Sequence, residues 1–204
     1  MIKTSIDSRG VARVTLNRPE KHNAFDDTMI AELRAAFDSL AGNTTVRIVV
    51  VESLGKSFSA GADLGWMKRM AQYDYADNLQ DARLLAGMLS ALHTMPQPTI
   101  ARVQGGAYGG AVGLVSCCDM AVAVDTAAFA LTEVKIGLIP ATISPYVIRA
   151  IGERAARRYF ATAERFSAAD AKSLGLINDV VPADQLDTAI DNLLDGLLAN
   201  GPEA

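Results

Sequence analysis

Between Gly105 and Gly113 the chain reads GGAYGGAVG, five glycines in nine residues directly after the apolar run TIARV. Side chains are excluded where something must come close to the backbone, and N–H groups at a glycine turn that opens a helix hold negative charge. Two anions of nucleotide chemistry fit poorly. A dinucleotide fingerprint needs G-x-G-x-x-G, and Ala107 stands where the second glycine would follow Gly105. A phosphate loop ends in Gly-Lys-Ser/Thr, and Gly113 is followed by Leu114. What remains is a transient charge, the oxyanion that develops on a carbonyl oxygen during reaction, which normally takes two donors. A second small-residue turn, FSAGAD from Phe58 to Asp63, is a candidate for the other donor. Each turn alone reads more readily as tight strand–helix packing; together they point to a pair of donors.

Two donors on distant turns can meet only if the elements before and after them form one framework. VARVTLNRP alternates up to its proline and predicts a strand running into the loop NRPEKHNAF. Asp26 or Asp27 can cap a helix with apolar positions Met29, Ile30, Leu33, Phe37 and Leu40, ending near Gly42. VRIVVVES predicts a strand buried on both faces, followed by GKSFSAGADLGWMKRM, which passes from small residues into a helical pattern. YADNLQDARLLAGMLSALHTMP reads as a longer amphipathic helix stopped by Pro96 and Pro98, and TIARVQG as the next strand. Beyond the glycines come a helix through AVGLVSCCD, a strand MAVAVD, the apolar piece AFALTEVKIGLIP, and helices at SPYVIRAIGERAARRYFAT and SAADAKSLG. This alternation predicts an α/β protein with helices covering a largely parallel sheet.

The bulk numbers are those of an ordinary globular protein: 204 residues, 50% hydrophobic and 21% charged, enough for one substantial core. A single domain over 1–204 is expected, with its core at about 1–180. Residues 181–204 read as the start of a C-terminal helical region, with Pro202, Glu203 and Ala204 placed like the first turn of a further helix. The net charge of -4 offers no long-range attraction for nucleic acid or an anionic membrane. MIKTSIDSRG lacks the apolar region of a secretory signal and no apolar run of about 18 residues occurs, so the chain reads as cytoplasmic. Adjacent Cys117 and Cys118 do not suit a disulfide staple, and the isolated His22 and His93 do not suit a metal site.

FSAGADL, VQGGAYGGAVGLVSCCDMAVA and TEVKIGLIPA, in that order, resemble the three core motifs of the crotonase (enoyl-CoA hydratase/isomerase) family, and the similarity runs from LNRPEKHNAF to AERFSAADAKSLGLINDVV. The resemblance implies a spiral of repeated ββα turns, trimers or dimers of trimers, and an acyl-CoA thioester as substrate with no separate cofactor. It places the two oxyanion donors at the N–H groups of Ala62 and Gly110. It further implies a CoA path along Ser59, Ala60, Gly61, Asp63 and Leu64 with Lys21 and Ala24 opposite, and a substrate-binding set completed by Tyr108, Gly109 and Pro140. Trp66 could equally shape the acyl pocket or pack in the core.

The same resemblance makes Glu133 of LTEVKIG the acid–base group. On residue type alone it is an ordinary exposed acid; between Leu131 and VKIGLIP it could instead enter an enclosed site where desolvation raises its pKa. Hydratases of the best-known type in this family carry a second glutamate three residues after the oxyanion glycine. Here that residue is Gly113. The similarity is strongest to a bacterial branch of methylglutaconyl-CoA or carboxygeranoyl-CoA hydratases, implying a branched acyl group with a distal carboxylate, for which Arg149 and Arg69 are candidate partners. Three other readings stay open: a double-bond isomerase using Glu133 alone, a non-catalytic CoA-binding subunit, and a serine peptidase built on Ser57 or Ser59 and a histidine.

Overall fold

The computed structural model describes residues 1–201; the expected further helical turn at 202–204 lies outside them. The chain opens with β1 (Ile2–Ile6) and β2 (Val11–Leu16), an antiparallel pair in which Ile2 faces Leu16. Helix α1 (Asp27–Ala41) follows, its N-cap Asp26 accepting from the Met29 N–H. Its apolar stripe, Met29, Ile30, Leu33, Phe37 and Leu40, is buried against the sheet and a later helix, α3 (Tyr75–His93).

The middle of the chain repeats one supersecondary unit. β3 (Ile48–Ser53) and β4 (Ser57–Ser59) lead to α2 (Leu64–Met70) and α3 (Tyr75–His93); β5 (Thr99–Val103) and β6 (Gly106–Tyr108) lead to α4 (Gly110–Cys117). β7 (Met120–Val124) and β8 (Ala128–Ala130) are followed by a 3-10 turn, Glu133–Ile136, and then by α5 (Ser144–Ile151) and α6 (Glu153–Thr162). Each unit contributes its first strand to a six-stranded sheet ordered β1-β2-β3-β5-β7 and then β10 (Asp179–Val181), and its second to a four-stranded sheet ordered β4-β6-β8 and then β9 (Phe166–Ser167). The chain thus climbs as the expected spiral of ββα turns. β9 (Phe166–Ser167), α7 (Ala168–Leu174), β10 (Asp179–Val181) and α8 (Leu186–Leu198) complete it. Among the described residues no helix is long and apolar enough to cross a membrane.

The structure departs from the expected elements in three places. SPYVIRAIGERAARRYFAT is two helices, because Gly152 adopts φ +78° between α5 and α6. The edge strands β1 and β10 went unpredicted, since neither carries a buried alternating pattern. The second-sheet strands span only two or three residues, too short for periodicity to show.

Candidate active site

Three parallel strands of the smaller sheet bring the sequence motifs side by side. β4 pairs with β6 (Ser59 beside Ala107) and β6 with β8 (Tyr108 beside Ala130), so FSAGAD, YGG and LTE leave adjacent strands at their carboxyl ends. Ligands of α/β proteins collect at that edge.

The first two turns touch through their backbones. Gly61 has φ +84°, and a Cβ there would lie 2.8 Å from the Tyr108 carbonyl oxygen, so only glycine allows the approach. The Phe25 N–H donates to the Gly61 carbonyl at 2.7 Å and the Asp63 N–H to the Phe25 carbonyl at 2.7 Å, which leaves the intervening Ala62 N–H without an acceptor among the described residues. Gly110 opens α4, and its N–H belongs to the unpaired first turn of that helix. Two free donors therefore lie on adjoining turns, one of them at the positive end of a helix dipole.

Glu133 closes the third side. Gly109, at φ +54°, lies so near that a Cβ would sit 3.2 Å from Glu133 Oε1. Glu133 Oε2 is buried with no hydrogen-bond partner. Burial, outweighing donation from nearby backbone N–H groups, pushes the carboxyl pKa up from its ordinary value. An unpaired, buried carboxyl oxygen with a raised pKa is suited to accept a proton.

The turns line a half-open cavity of about 260 Å³ that includes Ala62, Gly110, Glu133 and Pro140 together with Phe25 and Ile143. Trp66, Met70, Ala82 and Leu85 form its far wall, where Asn78 and Asp81 are the polar groups. Trp66 thus does both things its sequence position allowed, being 4% exposed and on the cavity.

The remaining expected site residues are placed outside this cavity. Lys21, Ala60 and Leu64 are exposed, and Tyr108 is half-buried with the Arg165 guanidinium 5.2 Å from its ring centre. Ala24 is buried, and Ser59, also buried, accepts from the Gly61 N–H at 3.2 Å. Asp63 is a helix cap, accepting from the N–H groups of Gly65 (2.7 Å) and Trp66 (3.1 Å) and paired with Arg18 at 3.3 Å. The two candidate arginines also lie elsewhere: Arg69 is bound to Asp27 at 2.7 Å, and Arg149 meets His93. Among the described residues the cavity has no Lys, Arg or His.

Gly113 explains the missing acid sterically. A Cβ there would lie 2.3 Å from Ile143 Cγ2 and 2.7 Å from Ile143 Cβ, so the place of a second carboxylate is filled by hydrocarbon. Ile143 could not be read from the sequence, because its contact with Gly113 spans 30 positions.

Two further residues escaped sequence reading. Asn23, fully buried, donates to the carbonyls of Leu54 (2.8 Å) and Ser57 (3.0 Å) and accepts from the Arg18 N–H (2.9 Å), tying the loop before α1 to the β3–β4 turn. Arg18 bridges Asp26 and Asp63, the caps of α1 and α2. Asn23→Ala should cost about 3 kcal/mol by orphaning these groups. In a chain of this size that is a fall of roughly 6–12 °C in the melting midpoint by calorimetry.

Ser57 does meet a histidine, His22 Nδ1 lying 3.1 Å from its Oγ. The pair is exposed, off the cavity, and no carboxylate holds the other imidazole nitrogen among the described residues, so the triad arrangement is not assembled.

Comparison with known proteins agrees with the geometry. The enoyl-CoA hydratase/isomerase family model matches residues 7–204. The chain belongs to the enoyl-CoA hydratase/isomerase family. A solved enoyl-CoA hydratase from Shewanella pealeana is 48% identical, with TM-score 0.96 over 99% of this chain and 75% of its own. A Thermus thermophilus relative is 38% identical across 87% of this chain and 70% of its own length. An enoyl-CoA hydratase of Alternaria alternata is 34% identical across 98% of this chain, which spans 65% of that relative.

Proposed function

We propose that the protein hydrates a short, branched 2-enoyl-CoA, with Glu133 as the acid–base group and the Ala62 and Gly110 N–H groups holding the thioester oxygen. The observation that carries this reading is the convergence of one unpaired buried carboxyl oxygen and two unpaired backbone donors on one cavity. As Glu133 takes a proton from water, the water oxygen bonds to the β carbon. The π electrons shift through the α carbon to the thioester oxygen, and the enolate is held by the two donors. Glu133 then returns the proton to the α carbon, so one water is consumed and the carboxylate regenerated. Each donor supports the step by about 3–4 kcal/mol.

The apolar wall of Trp66, Met70 and Leu85 supports a branched hydrocarbon tail, and the lack of a lining cation favours a neutral tail over a carboxylated one. Assembly into trimers or dimers of trimers belongs to this reading, supported by the exposed apolar run Ile136, Leu138 and Ile139 beside the site.

Double-bond migration is the second reading, favoured by Ile143 occupying the place of a second acid. Turnover of 3-methylcrotonyl-CoA in ¹⁸O-water separates them. Hydration leaves one heavy oxygen on the β carbon; recovery of an unlabelled positional isomer would assign the isomerase.

A further inference from the structure

The far wall of the cavity holds a second carboxylate that the reaction above does not use. Asn78, Asp81, Ala82 and Leu85 lie at spacings of three, four and seven on α3, so one face of that helix forms the wall. Asp81 is the charged member. Its Oδ1 accepts from the Trp66 indole N–H at 3.3 Å, a link from α3 back to α2 that fixes the carboxylate against the cavity. No ion pair neutralises it among the described residues: Arg69, the cation that bears on it, is held by Asp27 at 2.7 Å.

Asp81 and Glu133 line this space from different elements, α3 and the 3-10 turn that follows β8. On the acyl-CoA reading, a carboxylate set among Trp66, Met70 and Leu85, on a different element from Glu133, faces the acyl tail.

We propose that Asp81, held by Trp66, is a specificity-determining residue that excludes 2-enoyl-CoA substrates whose acyl tail ends in a carboxylate and admits those with neutral tails. The inference rests on the acyl-CoA reading of the cavity. Two like charges in a space with no lining cation repel, and such a contact discriminates by repulsion rather than by added attraction.

The test uses the single tryptophan, Trp66, as a binding reporter. Saturated thioesters of similar branching, isovaleryl-CoA (neutral) and 3-methylglutaryl-CoA (carboxylated), are titrated against tryptophan emission in the wild type and Asp81→Asn. The wild type should bind the carboxylated ligand about tenfold more weakly, and Asp81→Asn should reduce that gap below about threefold by tightening the carboxylated ligand alone. Equal binding of both ligands by the wild type, or an undiminished gap in Asp81→Asn, overturns the proposal. Loss of isovaleryl-CoA binding in Asp81→Asn overturns it too, since Asp81 would then serve the fold. Because these ligands do not react, absence of any hydration would count against the proposed reaction while leaving this comparison readable.

Discussion

Glu133→Gln should lower the kcat for 3-methylcrotonyl-CoA hydration by about 10³-fold or more, within the range that a positioned acid–base group supplies, while making the protein more stable. The two effects have one cause. Glu133 Oε2 is buried without a partner, so the native state holds its carboxyl pKa above the unfolded value of about 4.5. Below that value both states are protonated and the residue costs nothing. As pH rises through the raised native pKa, the unfolded chain has already ionised freely while the folded one must keep the proton or bury a charge. The cost is therefore complete above the native pKa and vanishes in acid. Glutamine has the same shape and no charge to bury, so its melting midpoint at neutral pH should exceed the wild type's by about 2–4 °C, roughly 1 kcal/mol. The gap should close as pH falls below about 4.5. Kinetics and calorimetry across pH on the two proteins check both halves; unchanged turnover in the variant would remove Glu133 from the mechanism.

Gly113→Glu, the substitution that would supply the second acid of the best-known hydratases, should produce a poorly folded protein rather than a faster one. Even alanine at 113 would put its Cβ 2.3 Å from Ile143 Cγ2, inside the distance atoms tolerate. Gly113 and Ile143 are both buried, so neither can relax into solvent. Gly113→Ala should destabilise by about 3 kcal/mol, at the upper end of overpacking effects, lowering the melting midpoint by roughly 6–12 °C. Ile143→Ala alone should cost about 2–4 kcal/mol through the cavity it leaves. The double variant should be more stable than the sum of the two single losses requires, because the new methyl fills the vacated space. Thermal unfolding of the four proteins measures that coupling. Additive losses, or a folded Gly113→Glu with enhanced hydration, would refute the steric account.

Local signals in the sequence were enough to place most first-sheet strands and long helices. The stripe Met29, Ile30, Leu33, Phe37 and Leu40 and the β-branched run at β3 each state their own burial. Beyond a strand-like feature at GKSFS, the second sheet was invisible, since two- and three-residue strands carry no period; they exist because each lies beside a partner delivered by the spiral. At the site, Ala62, Gly110 and Glu133 could be named because each stands in a continuous motif. Residues defined by contact at a distance could not be. Ile143 against Gly113, Trp66 to Asp81, and Asn23 spanning Leu54 and Ser57 are pairings that only the folded chain makes. Arg69 and Arg149 show the converse: residue type fitted a carboxylate partner, but Asp27 and His93 already occupy them.

The contact of Gly61 with the Tyr108 carbonyl bears on how such a chain can diverge. The spacing of the two donors is set by main chain against main chain, so no rotamer governs it, and a side chain at Gly61 would force the turns apart rather than tune them. On the proposed reading, changes of chemistry or substrate enter through Glu133 and through the wall around Asp81, neither of which sets the contact between the two turns.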